Sequence, residues 1–285
     1  MYVALATAAE LDISDQDEHL LEPALISAGM QAQIRFWDDP TVDWSDFDAV
    51  VIRSTWDYVA KYPAFLAWID HVASVARLFN PPEVLRWNLH KGYLIELEDR
   101  GVPIVPTAWL GKGDGIDLAD IGASRGWKDV VVKPAIDAGA RGLFRVTGDL
   151  EAGQAQLDAL LATDDVMVQE FQTGLIDHGE LSIVCLDGEF SHAVRKRAKP
   201  GDVRIQIEYG GTYTPEEPDD ATCGLAEWIV QATGHDLLYA RVDLVPAVDG
   251  SWQLGELELA EPALYLRWAP GSADRMAEAI RRRLS

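Results

Sequence analysis

The chain has 285 residues, with 24 Lys and Arg against 47 Asp and Glu, for a formal charge of −23. A surface this acidic repels nucleic acid and anionic lipid, which are bound by clustered Lys and Arg, so neither is an expected partner. Hydrophobic residues make up 48% and Trp numbers ten, ample for a core, and the length points to about two domains. Two cysteines, Cys185 and Cys223, are too few for a disulfide framework or a Cys-rich metal site. No apolar run approaches the ~18 residues of a membrane span, and the opening MYVALATAAELDISDQDE has no basic stretch. A reduced, cytoplasmic protein is expected.

Residues 2–6 (YVALA) read as a buried strand, 15–28 as a helix, about 32–37 as a second strand and 47–53 (FDAVVIR) as a third. The continuous apolar run of the third is typical of a parallel sheet. A helix follows over 63–78, with Phe65, Leu66, Ile69, Val72 and Val75 on one stripe. Asn80-Pro81-Pro82 then punctuates the chain and places a domain boundary near 80–88. Asn88 is expected to cap a helix running to Arg100-Gly101, with further helices at 149–162, 218–233 and 271–284. The hairpin dipeptides Asp187-Gly188 and Asp249-Gly250 mark an antiparallel-rich α+β body behind the α/β N-terminal domain.

If Asp249-Gly250 is a two-residue turn, Asp243 faces Glu256, and Glu258 lies two residues further along the same face. Arg241 shares that face, and Leu244, Leu257 and Leu259 take the other. Like charges directly opposite destabilise a hairpin unless something neutralises them. Hard oxygen ligands of this kind suit Mg²⁺ held jointly by protein and substrate phosphates; the alternative is a solvated acidic face. A cationic island stands at 195–204: Arg195, Lys196, Arg197, Lys199 and Arg204. It suits a polyphosphate or an acidic substrate. The same turn arithmetic across Asp187-Gly188 sets Glu180 opposite Arg195, so ordinary cross-strand pairing is the competing account.

Two strand-like runs, 130–133 and 143–146, are joined by a nine-residue loop with two Gly and three Ala. Such a small-residue loop can close backbone N–H groups over phosphates, with Lys133 at its root as a point charge. No Walker motif, GxGxxG, HExxH or GxSxG occurs, and the six His show no ligand spacing. Hydrolytic triads and zinc chemistry are excluded.

Read in order, these features resemble the ATP-grasp superfamily in its glutathione synthetase-like branch. The elements are Asn88-x-x-Lys91, Val132-Lys133-Pro134 before the small-residue loop and VMVQEF at 166–171. Then follow His178-Gly179-Glu180-x-Ser182, Arg204 before Gly210-Gly211, Arg241-x-Asp243 and Glu256-x-Glu258. The resemblance implies an ATP-grasp fold of mixed α/β and α+β type: an N-terminal α/β domain (1–87) and two ATP-binding subdomains (88–170 and 171–285). It implies ATP between two antiparallel sheets, Lys91 and Lys133 at the phosphates, and the loop 135–142, with Ala138, Gly139 and Gly142, as a lid. Glu170 and Phe171 would offer backbone groups to adenine, and Glu180 would take the ribose hydroxyls. Asp243, Glu256 and Glu258 would hold two Mg²⁺ ions, although Glu258 stands where the family has Asn.

The implied reaction is phosphorylation of a substrate carboxylate, helped by Arg204, followed by displacement of phosphate by a nitrogen nucleophile. Within the superfamily, VVIRSTWDY at 50–58, NPPEVLRWNLHK, FSHAVRK, VRIQIEYGG and LELAEP resemble the D-cycloserine synthetase group, whose enzymes close O-ureido-D-serine into a ring. Arg53, Trp56, Asp57 and Tyr58 are then candidate substrate residues, with Gly210 and Gly211, and Arg53 is the expected carboxylate anchor. An intermolecular ligase and a non-catalytic nucleotide-binding protein are the rival readings. The superfamily often forms dimers, so a homodimer is one expected assembly.

Overall fold

The computed structural model describes residues 1–9, 17–139, 142–199, 205 and 207–285. The N-terminal part comprises β1 (Tyr2–Thr7), α1 (Glu18–Ser27), β2 (Gln31–Phe36), β3 (Ala49–Ile52), α2 (Tyr62–Val75) and β4 (Arg77–Phe79). Its strands form a parallel sheet in the order β2-β1-β3-β4. The central strands β1 and β3 are apolar throughout because both faces are covered. Val3, Leu5, Ala49 and Val51 pack on Leu21 and Leu25 of α1, and Ala4, Ala6, Val50 and Ile52 pack on Phe65, Ile69 and Val72 of α2. The helix expected over 63–78 stops at Val75, and Arg77–Phe79 forms the fourth strand instead. Leu78 and Phe79 bury on opposite faces of the sheet, a gain that a helical continuation would forfeit.

The helix expected from Asn88 to Arg100 is two helices, α3 (Pro82–Asn88) and α4 (Tyr93–Asp99). Asn88 ends the first and caps neither. Its amide instead bridges the backbone at the end of the last strand, donating to Leu257 O and accepting from Leu259 N, both at 2.7 Å. A second sheet follows from β5 (Thr107–Leu110), α5 (Leu118–Arg125), β6 (Asp129–Pro134), β7 (Phe144–Thr147), α6 (Gln154–Leu161) and β8 (Val166–Glu170). It is antiparallel in the order β5-β8-β6-β7. The last part comprises α7 (Gly174–His178), β9 (Glu180–Leu186), β10 (Glu189–Arg197), β11 (Thr212–Glu216), α8 (Asp220–Ala232), β12 (Tyr239–Pro246), β13 (Trp252–Glu258) and α9 (Ser272–Leu284). Its strands form an antiparallel sheet in the order β11-β10-β9-β12-β13. Among the described residues, no helix is long and apolar enough to cross a membrane.

Two β-bulges decide which side chains face the site. Ala247 N bonds Ser251 O at 2.8 Å, so the second hairpin turns over three residues and not the expected two. Gly255 is then the extra residue of a bulge, which restores the pairing of Asp243 with Glu256 and of Arg241 with Glu258. In the first hairpin, Ser191 bulges out, held by Arg275 of α9. Beyond it Glu180 faces Lys196, and Arg195 faces Leu181. The expected Glu180–Arg195 pair is therefore wrong by one residue, which moves every side chain to the opposite face.

Buried polar side chains clamp the N-terminal sheet onto this last sheet. The Asn80 amide donates to Tyr239 O and Leu259 O, both at 2.9 Å, and accepts from Leu238 N at 2.8 Å. Asn80→Ala would leave buried backbone groups unpaired, and urea unfolding is expected to show a loss of about 2–4 kcal/mol. His192 is nearly buried, its Nε2 within 2.7 Å of Leu264 O. Burial holds its pKa down to about 4 from 6.5. The unfolded chain thus binds the extra proton between those values. Stability should be fully present above about pH 6.5 and fall by roughly 3 kcal/mol as pH drops to 4, a slope that His192→Gln should flatten in acid titration of the melting temperature.

Candidate active site

A cavity of about 490 Å³ opens between the two antiparallel sheets, with Trp56 and Tyr58 of the N-terminal part closing one end. Lys133 and Val131 enter from β6, Ala138 and Gly139 from the loop after it, and Glu170, Phe171 and Gln172 from the end of β8. Glu180, Lys196, Arg241, Glu256 and Glu258 enter from the five-stranded sheet.

Opposite charges meet on the floor. Lys91 Nζ lies 2.7 Å from Glu256 Oε1 and donates to Asp137 O at 3.1 Å. Lys196 Nζ lies 2.5 Å from Glu180 Oε1 and 3.6 Å from Asp243 Oδ1. Arg241 bridges Asp243, at 2.8 Å, and Glu258. Ser182 Oγ donates to Asp243 as well. Despite their burial, the pull of Arg241 and Lys196 holds the Asp243 carboxyl down to about 2. Burial, reinforced by Glu256, Asp243 and Glu261 and opposed by Arg241, pushes Glu258 up to about 8.

Lys133 differs from its neighbours. It is buried, and among the described residues it makes no ion pair or hydrogen bond. Burial and nearby Lys91 lower its pKa. An ammonium in that position has its donors free for an anion entering the cleft.

The expected site residues divide as follows. Lys91, Lys133, Ala138, Gly139, Glu170, Phe171, Glu180, Trp56, Tyr58, Glu256 and Glu258 all line the cavity. Asp243 does not. It sits beneath the floor at 3% exposure, holding Arg241 and Lys196 in place. Among the described residues, no group of three or more His, Cys, Asp or Glu side chains converges as a metal cage. Of the three expected carboxylates, Glu256 and Glu258 line the cavity, and Asp243 pairs with Glu256 across the strands beneath it. Two carboxylates still fit Mg²⁺, which takes one or two protein carboxylates and completes its shell with water and phosphate oxygens.

Gly142 is also outside the cavity, packed near Pro134 and Leu160. The N–H groups of Glu170 and Phe171 are already given to Pro106 O and Asp129 O, at 3.1 and 2.9 Å. Arg53 lies behind the wall, 1% exposed, donating to Pro262 O at 2.5 Å across the Tyr239 ring. Asp57 is taken by Trp37 Nε1 at 2.8 Å and Lys61 at 2.7 Å. Gly210 and Gly211 lead into β11 beside the cavity, whose wall takes Ile207 and Tyr209 from this segment. Arg204, the expected catalytic residue, lies outside the described residues. Of the cationic island, Lys196 faces the cavity, whereas Arg195 turns to Glu216 and Trp252 and Arg197 to solvent.

Sequence reasoning placed Lys196 in the cationic island without singling it out, because nothing in the sequence signals the Ser191 bulge. It missed Glu261, though the residue stands in LELAEP three positions after Glu258. Gly179 has its own requirement: it sits at φ +71°, where an added Cβ would run into Lys196 O. Gly179→Ala should push the Glu180 and Lys196 strands apart, costing about 1–3 kcal/mol in chemical denaturation and raising the KM for ATP.

Two antiparallel sheets gripping a cleft of lysines and carboxylates define an ATP-grasp ligase, a class that binds ATP. Residues 3–80 match the family described as D-cycloserine synthetase DcsG, N-terminal domain. Residues 121–247 match that described as prokaryotic glutathione synthetase, ATP-grasp domain. The cycloserine biosynthesis protein DcsG of Streptomyces lavendulae is 33% identical over 99% of this chain and 98% of its own. The crystal structure of D-cycloserine synthetase DcsG superposes over 100% of both chains with a TM-score of 0.92 at 32% identity. Glutathione synthetase of Prochlorococcus marinus (strain MIT 9313) is 27% identical over 84% of each chain. The chain belongs to the D-cycloserine synthetase (DcsG) family.

Proposed function

We propose that this ligase uses ATP to activate the carboxylate of O-ureido-D-serine and closes it to D-cycloserine. The observation that carries the substrate is the N-terminal match over 3–80, since that region supplies Trp56 and Tyr58 to the cavity. The nucleotide would lie between the two sheets, with Lys133 and Lys91 at its phosphates and Ala138 and Gly139 above them. Adenine would sit at 170–172, where the N–H groups of Glu170 and Phe171 are used and the Glu170 carbonyl accepts Gln172 Nε2 at 3.3 Å, so the Phe171 carbonyl and the Gln172 amide oxygen would meet it. Glu180 would accept from the ribose hydroxyls. The three sheets then correspond to an N-terminal domain and two halves of the nucleotide grip, divided near 87/88 and 170/171. ATP as co-substrate and two free cysteines are consistent with the cytoplasm.

Glu256 and Glu258 would hold Mg²⁺, with Asp243 supporting them through Arg241. Bound there, the metal neutralises charge on the phosphates being transferred. Lys91 and Lys133 hold the γ-phosphate in line with the substrate carboxylate. That carboxylate takes the phosphoryl group and ADP leaves, giving an acyl-phosphate. The oxygen-bound nitrogen of the substrate then attacks the acyl carbon and gives up its proton, the C–O bond to phosphate breaks, and phosphate departs with the electron pair. Water cleaves the carbamoyl group from that nitrogen, releasing carbamate that breaks down to CO₂ and ammonia and leaving D-cycloserine. The loop over the cleft excludes water, which would otherwise hydrolyse the acyl-phosphate. Arg204 would steady the carboxylate.

ADP release should be stimulated by O-ureido-D-serine with no added amine; an obligatory second amine would contradict cyclisation. Glu256→Gln should lower kcat about 100-fold or more with an unchanged melting curve. Lys133→Met should raise the KM for ATP at least about tenfold, measured by coupled ADP assay.

A further inference from the structure

We infer that Glu261, held against Tyr58 in the cavity wall, receives the ammonium group of the amino-acid substrate. This deepens the ligase reading above and rests on it. Glu261 lines the cavity at 9% exposure. Its carboxylate accepts the Tyr58 phenol, and its carbonyl accepts Trp56 Nε1 at 2.8 Å. Arg53 fixes the next residue through Pro262 O at 2.5 Å. The main chain at 261–262 is therefore held by Trp56 and Arg53, and the side chain by Tyr58, all from the N-terminal domain.

The charge pattern singles it out. Among the described residues, Glu180, Glu256 and Glu258 each hold a cation, whereas Glu261 makes no ion pair. Lys91 is the nearest candidate, but it is already committed to Glu256 and Asp137 O. A buried carboxylate keeps its charge at the cost of several kcal/mol unless it is paired. One neutral phenol leaves most of its acceptor sites unused. Consistent with that, burial raises its pKa. A substrate ammonium brings three donors and the missing positive charge. It would enter at the end walled by Trp56 and Tyr58, away from the residues proposed to hold adenine.

The test compares O-ureido-D-serine with the analogue whose α-amino group is replaced by hydrogen, using full-length wild type and Glu261→Gln with MgATP. Wild type is expected to prefer the amino compound by ~100-fold in kcat/KM, and Glu261→Gln by no more than ~3-fold. The KM for ATP should be unchanged in the variant, which also shows that it is folded. Tyr58→Phe should give a smaller loss of preference, through KM more than kcat. A Glu261→Gln enzyme that keeps the full preference overturns the inference. If another amino acid proves to be the substrate, the same comparison on it and its desamino analogue decides the role of Glu261, so an error in the substrate stays separate from an error here.

Discussion

Glu256 and Glu258 stand two residues apart on one face of β13, with Asp243 across from Glu256, and like charges so placed coexist only when cations intervene. The rest of the site is arranged around that requirement. Arg241, directly opposite Glu258, reaches both it and Asp243. Lys91 comes from the turn between α3 and α4 to Glu256, and Lys196 comes from two strands away to Glu180 and Asp243. Even so, burial first and the neighbouring carboxylates second raise the pKa of Glu258. A divalent ion with a polyphosphate supplies the kind of charge this floor lacks, plus for the carboxylates and minus for Lys133.

The same floor explains why the N-terminal domain is fastened so tightly. The backbone just after β13 is bonded by Asn80, Asn88 and Asp17 and by the hydroxyl of Tyr239. These bonds continue the line of Glu256 and Glu258 into Glu261, so the segment that carries the proposed metal ligands also touches Trp56 and Tyr58. Binding of nucleotide and of the small substrate is thereby joined through one stretch of main chain. Asn80, Asn88 and Arg53 thus act at a distance from the chemistry, as clamps on its position.

Much of this was legible in the residues. The facing of Asp243 and Glu256, and the apolar reverse face of Leu244, Leu257 and Leu259, followed from the alternation of strands. That pairing came out right through two errors that cancel, a three-residue turn and the Gly255 bulge. No such cancellation rescued β10, where the Ser191 bulge handed the cavity to Lys196 and turned Arg195 away. Bulges depend on tertiary partners such as Arg275, which local patterns do not contain. Arg53 was misplaced for a related reason. A cation at the end of an apolar strand signals a site, yet only the packed structure shows that Tyr239 and Pro262 enclose it.

The most direct measurement is a crystal structure of the protein with a non-hydrolysable ATP analogue and Mn²⁺, read by anomalous scattering. The account predicts manganese peaks coordinated by Glu256 and Glu258, with the γ-phosphate in contact with Lys133. Peaks lying away from both glutamates, or phosphates outside the reach of Lys133, would contradict it.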